Sequence, residues 1–477
     1  MLKAIISKLR SSPNGLKWIA CLGINLAIGS YYSAALVAPA SSIKSAWLPG
    51  KTTHGHYQIE LDCDACHSAS NSKEGPTSSD VMQDACIRCH GDQLKDVDTH
   101  PAKKFNDPTN AELLATLDAQ NCLSCHAEHV PHQTLAMGLT MPADYCWHCH
   151  QDVGDSRPSH QGMAFDSCAT AGCHNYHDNS ALYEKFLDDH FGQPDQLDVA
   201  VTPSRNTLAS LSGDQLPRKG WSKPAIGLDD ADFPETTESN PQLLRDWAET
   251  AHAAAGVNCS GCHVTQSEAA QNDDSASWSD SVAMETCGQC HDKQVDTFLD
   301  GKHGMRLAAG LTPMTPDQAR LPMNHDAAHR ELDCNACHND HRFDTQFAAT
   351  DACLQCHNDD HSLAHVQSPH GQLWRDEVLH KGEQGTGVSC ATCHMPRLEG
   401  DDGIWVNHDQ NANLRPNEKM AREVCLNCHG LEYSLSALAD EELIRNGFAG
   451  EPSERNKSVE MAHQWFLERA KKRRPRP

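Results

Sequence analysis

The sequence predicts a mostly irregular and α-helical chain, with short helices, little or no sheet, and a core filled largely by bound groups. Three observations lead there. Cysteines and histidines recur in tight clusters along most of the 477 residues, leaving room between neighbours for a short helix and a loop. Hydrophobic residues make up 38% of the chain and aromatics 5%, too few to fill the core of a chain this long unaided. Runs rich in Pro, Gly, Asp and Ser break the remaining periodicity.

The clusters have one form. Ten read C-x-x-C-H: Cys63, Cys66 and His67; Cys86, Cys89 and His90; Cys122, Cys125 and His126; Cys146, Cys149 and His150; Cys259, Cys262 and His263; Cys287, Cys290 and His291; Cys334, Cys337 and His338; Cys353, Cys356 and His357; Cys390, Cys393 and His394; Cys425, Cys428 and His429. An eleventh, Cys168, Cys173 and His174, is widened to C-x-x-x-x-C-H. These motifs hold 22 of the 23 cysteines and leave only Cys21. Zinc ligation by paired C-x-x-C and a disulfide framework are the competing readings. Neither gives a reason for histidine directly after every second cysteine. C-x-x-C-H is the attachment site of c-type haem: two thiols bond the porphyrin edge and the histidine is the proximal iron ligand. The sequence therefore predicts eleven covalently attached haem c groups, which form much of the core.

Histidine usage agrees. Of 31 histidines, eleven are proximal ligands, and twenty remain to fill the second axial position of each iron. The candidates are His56, His100, His129, His160, His177, His190, His252, His303, His329, His341, His361, His370, His380 and His408. Weaker ones are His54, His132, His148, His325, His365 and His463. His129, His177 and His341 each follow a proximal histidine by three residues, and His361 follows His357 by four. In multihaem cytochromes such a histidine commonly ligates a neighbouring haem.

The formal net charge is −26, before any haem propionates, which argues against nucleic acid and for solubility or docking to a basic partner. One basic cluster, Lys471, Lys472, Arg473, Arg474 and Arg476, closes the chain and reads as a solvated tail. At the other end Lys3, Lys8, Arg10 and Lys17 precede an apolar run over residues 18–40. The Ala38-Pro39-Ala40 stretch fits a signal-peptide cleavage site, and the run is also long enough for a membrane anchor. Either way the rest of the chain is expected outside the cytoplasm, where c-type haem is attached: in a periplasm, with inner-membrane anchoring or an extracellular location as variants.

Five motifs fall within residues 41–190 and are expected to form a pentahaem module. Residues 191–250 read as a haem-free linker, 251–435 as a hexahaem module, and 436–477 as a helical segment with a basic tail. Glu60-Leu61-Asp62-Cys63-Asp64-Ala65-Cys66-His67 matches Glu331-Leu332-Asp333-Cys334-Asn335-Ala336-Cys337-His338. Each is followed by Asp-Ala-Cys-x-x-Cys-His, at Asp84 and Asp351, which points to a duplicated dihaem unit.

Residues 365–429 carry Ser368-Pro369-His370-Gly371, then Gly387-Val388-Ser389-Cys390-Ala391-Thr392-Cys393-His394-Met395-Pro396-Arg397. Trp405-Val406-Asn407-His408 and Cys425-Leu426-Asn427-Cys428-His429 follow. This stretch resembles the final haems of the pentahaem nitrite reductase and octahaem hydroxylamine oxidoreductase superfamily. The resemblance implies that His370, His380 and His408 are distal ligands. The first module resembles class III-type multihaem cytochromes. The nitrite reductase haem on C-x-x-C-K has no counterpart here. The equivalent place is the His291 motif, and Tyr433 is the only tyrosine of the second module.

The leading expectation is an electron carrier rather than an enzyme. Its redox partners would be other cytochromes or a membrane quinol-oxidising complex. A second reading is an oxidoreductase acting on hydroxylamine, nitrite or tetrathionate at one high-spin haem, that of His291. A third is a homo-oligomeric, filament-forming or complex-anchoring subunit.

Overall fold

In the computed structural model of the chain the described residues are 14–37, 42–45, 47–67, 78–97, 108–133, 138–142, 144–157, 160–161, 176–177, 184–198, 224–234, 240–265, 277–400, 403–414, 418–455 and 457–473. Cys168, Cys173, His174, His100, Lys3, Lys8, Arg10, the Ala38-Pro39-Ala40 stretch, Arg474 and Arg476 lie outside them. The expected fold class holds. Short α-helices and 3-10 turns alternate with loops. The sheet content of the described residues is two small antiparallel pairs, Val264–Thr265 with Ser277–Trp278 and Arg397–Gly400 with Gly403–Val406.

The motifs themselves build many of the helices. Cys63–His67, Cys259–His263, Cys334–His338 and Cys390–His394 are each a five-residue helix. Residues at i, i+3 and i+4 share a helix face, so both thiols and the imidazole project to one side. A side chain just ahead starts several of these turns by accepting an otherwise orphaned backbone N–H. Asn258 accepts from Cys259, Asp333 from Ala336, and Ser389 from Thr392.

Side-chain core is scarce. The larger apolar cluster gathers Met420, Ala421, Val424, Leu431, Leu435, Leu438 and Val459, with Phe186, Leu187, Phe191 and Leu426 against it. It lies beside the last motif and joins helix Glu184–His190 to helix Ser458–Arg473. A small second cluster holds Met314, Leu332 and Ala336.

The described parts of 191–250 are docked rather than free. Leu197 N donates to Cys428 O (2.8 Å), Gly430 N to Pro194 O (3.1 Å), and Arg455 pairs with Asp195. Further on, Ile226 N donates to Ala253 O (3.0 Å) and Asn258 Nδ2 to Asp230 O (2.6 Å). Near the N-terminus Gly15–Val37 is one 23-residue helix. Among the described residues no helix is long and apolar enough to cross a membrane.

Candidate haem sites

The described motif histidines face second imidazoles across a nearly constant gap. Ring centroids are separated by 6.0 Å for His56 and His90, 6.4 Å for His67 and His129, and 6.4 Å for His126 and His177. In the second group the gaps are 6.0 Å for His252 and His291, 5.8 Å for His263 and His341, and 6.2 Å for His303 and His357. They are 6.3 Å for His338 and His408, 6.1 Å for His361 and His394, and 6.1 Å for His370 and His429. This is too wide for ring contact. It leaves room for one metal–nitrogen bond of about 2 Å on each side once the ring radii are subtracted. A tenth motif has a close candidate: burial, Arg157 and His150 together lower the pKa of His160.

The donor chemistry fits an axial pair. At His126, His129, His263, His361, His408 and His429, Nδ1 donates to a backbone carbonyl, of Gly138, Gly50, Ser279, Ile444, Val406 and Asp195 respectively. Such a bond fixes the tautomer and leaves the Nε2 lone pair for a metal. Burial pushes the pKa of His303, His338, His370 and His394 down to about 4, so these rings are neutral and able to ligate at neutral pH. Among the described residues no group of three or more His, Cys, Asp and Glu converges as a zinc site would require. None of the described cysteines is in a disulfide.

Local backbone is bent to serve the pairs. His129 and His341, third after their proximal histidines, have φ of 64° and 63°, a left-handed conformation unusual for a residue with a Cβ. Strain of this kind persists where surrounding structure over-determines it. Here it turns each imidazole away from its own motif: His129 towards His67, and His341 towards His263. His177 and His361 likewise face other motifs, at His126 and His394.

Several candidates stand apart. The His329 side chain is 91% exposed, near Asp317. His380 (φ 55°) is exposed and takes the left-handed position that ends helix Pro369–Val378, where its N–H donates to Glu377 O. Neither is brought to a motif histidine. His365 Nε2 donates to Val388 O (3.0 Å), which occupies the nitrogen a metal would need. His463 Nδ1 donates to Asp188 (2.7 Å), His148 lies 3.7 Å from Asp144, and His54 stands beside Tyr57. His190 is only partly exposed, and its Nδ1 is buried with no partner among the described residues.

Residues 55–151 match the family model of cytochrome c3. Over those residues the chain is similar to that family of multihaem cytochromes c. The match begins one residue before His56 and takes in four complete motifs, those of His67, His90, His126 and His150. Comparison with curated proteins and with solved structures returned no match.

Successive motifs also approach one another through their thiols. Cys66 feels Cys89, and Cys86 is hydrogen-bonded to Cys122. In the second group Cys287 is hydrogen-bonded to Cys334 and Cys353 to Cys390, while Cys262 feels Cys287, Cys337 feels Cys356 and Cys425 feels Cys393. The hydrogen bond from Cys334 pulls the Cys287 thiol down and pushes Cys334 up. Neighbours in sequence are thus neighbours in space. The similarity over residues 55–151 supports covalently bound haem c and a part in electron transfer.

Sequence reasoning missed Glu128. It lies between His126 and His129, and Oε1 accepts from His56 Nδ1 at 2.6 Å. Thr53 supports it through its N–H (2.7 Å) and hydroxyl (2.8 Å). Burial raises the Glu128 pKa, but hydrogen bonds from His56 and Thr53 outweigh it, and the carboxyl stays below its usual range. An acidic residue lodged between two candidate ligands was the available signal.

Proposed function

We propose that the chain is an exported undecahaem cytochrome that conducts electrons along eleven covalently bound, bis-histidine haems. The observation that carries this reading is the pairing of nine motif histidines with second imidazoles at 5.8–6.4 Å. A haem with both axial positions filled exchanges electrons and has no open site for a substrate. His160 would complete the pair at His150. The residues present fit haem: cysteines would hold the porphyrin, imidazoles would hold the iron, and bound haem would supply the electron-carrying chemistry.

The order of motif contacts supports two runs of haems, each following the sequence. The catalytic reading loses support at its own candidate, because His252 faces His291 across 6.0 Å. Partners would be other cytochromes or a quinol-oxidising membrane complex, met in the periplasm. Pyridine haemochrome counting with integrated low-temperature EPR of the oxidised protein tests the proposal. Eleven haems, all low-spin, are expected. A high-spin signal worth about one haem would overturn it in favour of catalysis.

The same geometry predicts where a low potential sits. The carboxylate of Glu128 draws the proton of His56 towards itself and enriches the imidazole, which favours ferric iron at the His56–His90 pair. Glu128→Gln is expected to raise that haem's potential by on the order of 60 mV, a tenfold change in a one-electron equilibrium. Potentiometric titration checks this: one of the haems moves and the others hold. Thr53→Val, which removes one donor to the carboxylate and so makes it a stronger acceptor for the His56 proton, should give a smaller shift of opposite sign.

A further inference from the structure

The two groups of motifs meet at a buried seam. Arg306 is 8% exposed and lies in the second group, three residues after His303. Its Nη1 donates to Gln58 O of the first group (2.8 Å), Nε to Thr312 O (3.0 Å) and Nη2 to Thr312 Oγ1 (3.2 Å). All three acceptors are neutral. Among the described residues no carboxylate is seen to act on this guanidinium, whose pKa burial lowers. A buried charge without a counter-charge is costly, and a guanidinium has five N–H donors, of which three are used here. Gln58 beside it is 6% exposed, and both its Nε2 and Oε1 are buried without a partner. A buried cation and an unsatisfied amide together call for an anion with hydrogen-bonding oxygens.

The surroundings say which anion. Gln58 is two residues after His56, which faces His90, and Arg306 is three after His303, which faces His357. Around them Arg320 stacks over Tyr57 at 4.3 Å and lies 3.7 Å from Glu60, so the seam is fixed from both sides. We propose that Arg306 and Gln58 form a buried carboxylate site for a haem propionate, and that electrons cross between the two groups of haems at this seam. The proposal rests on the bis-histidine reading above. It makes the route branched, because the first group joins the second at the His357 motif, fourth of six, rather than at either end.

The test uses Arg306→Met, Arg306→Lys and Gln58→Leu in the full-length holoprotein, after the wild-type haem count has established the haem reading independently. Removing a positive charge beside a propionate favours ferric iron. Arg306→Met is expected to lower one or two haem potentials by about 59 mV, a tenfold change in the one-electron equilibrium. Arg306→Lys should shift them less, and the resonance Raman propionate bending mode should move in Arg306→Met and Gln58→Leu. Marking one haem with His56→Met and the other with His303→Met, by the absorbance of a sulfur-ligated iron, identifies whose propionate it is. Electron equilibration between the groups should slow in Arg306→Met. A haem count of eleven with unchanged potentials and propionate mode in Arg306→Met would overturn the proposal. Should that variant not fold, an unchanged propionate mode in both Arg306→Lys and Gln58→Leu would overturn it equally.

Discussion

Gly371→Ala is expected to detach His370 from its iron and convert one low-spin haem to high-spin. A Cβ at residue 371 would stand 2.0 Å from the carbonyl oxygen of His365 and 3.1 Å from its carbonyl carbon. Neither is a flexible side-chain end. Both belong to backbone already fixed by Ser368, whose hydroxyl donates to His365 O (2.8 Å) and accepts from Gly371 N (3.1 Å). Relief must come from moving the start of helix Pro369–Val378, and His370 is the second residue of that helix. Overpacking of this kind costs about 1–3 kcal/mol and more when backbone must give. The strain falls on an imidazole that faces His429 across 6.1 Å. Gly304 follows His303 in the same way, with a would-be Cβ 2.2 Å from Phe298 O, and Gly304→Ala should free the iron of His357. Gly227→Ala is the control, since a Cβ there meets nothing within 4 Å. EPR and the Soret maximum of each variant decide the matter. An all-low-spin Gly371→Ala protein of wild-type stability would refute the role given to His370.

Leu431→Ala should produce the largest loss of stability available from one side chain. Leu431 is fully buried at the centre of the larger apolar cluster. Its neighbours are tied down: Gly430 and Leu431 take hydrogen bonds to Pro194 O and Gln193 Oε1, so the site closes poorly over a void. Truncating a leucine in such a place costs about 2–5 kcal/mol. The cluster holds helix Glu184–His190 and helix Ser458–Arg473 beside the last motif, so the damage should be local. Denaturant unfolding followed by far-UV circular dichroism measures the loss. Limited proteolysis should cut first between residues 446 and 473. A change below about 1 kcal/mol would mean that haem packing, and not this cluster, holds the C-terminal segment.

The duplicated segment shows where sequence stops being informative. Its motif cores align, and both form five-residue helices, Cys63–His67 and Cys334–His338. The ligand does not follow. His56 faces His90 in the first copy, but Ala327 stands at the matching place in the second, and His357 instead faces His303. His329, close by in sequence, points to solvent. The resemblance to the reductase superfamily has the same limit: of the three histidines it suggested, His370 and His408 face motif histidines, whereas His380 stops a helix.

By itself the sequence determined the cofactor chemistry, the motif positions and the sparse helical fold. Thioether attachment and proximal ligation are local, and helix geometry forces their spacing into three adjacent positions. The H-x-x-H histidines that face other motifs were legible for the same reason: a short left-handed turn at His129 or His341 is a local event. Tertiary structure alone decided which distant histidine faces which motif histidine, why Glu128 sits behind His56, and how Arg306 reaches Gln58. Those partners are brought together by the return path of the chain around bulky groups, and a fold-back of that kind leaves no spacing in the sequence.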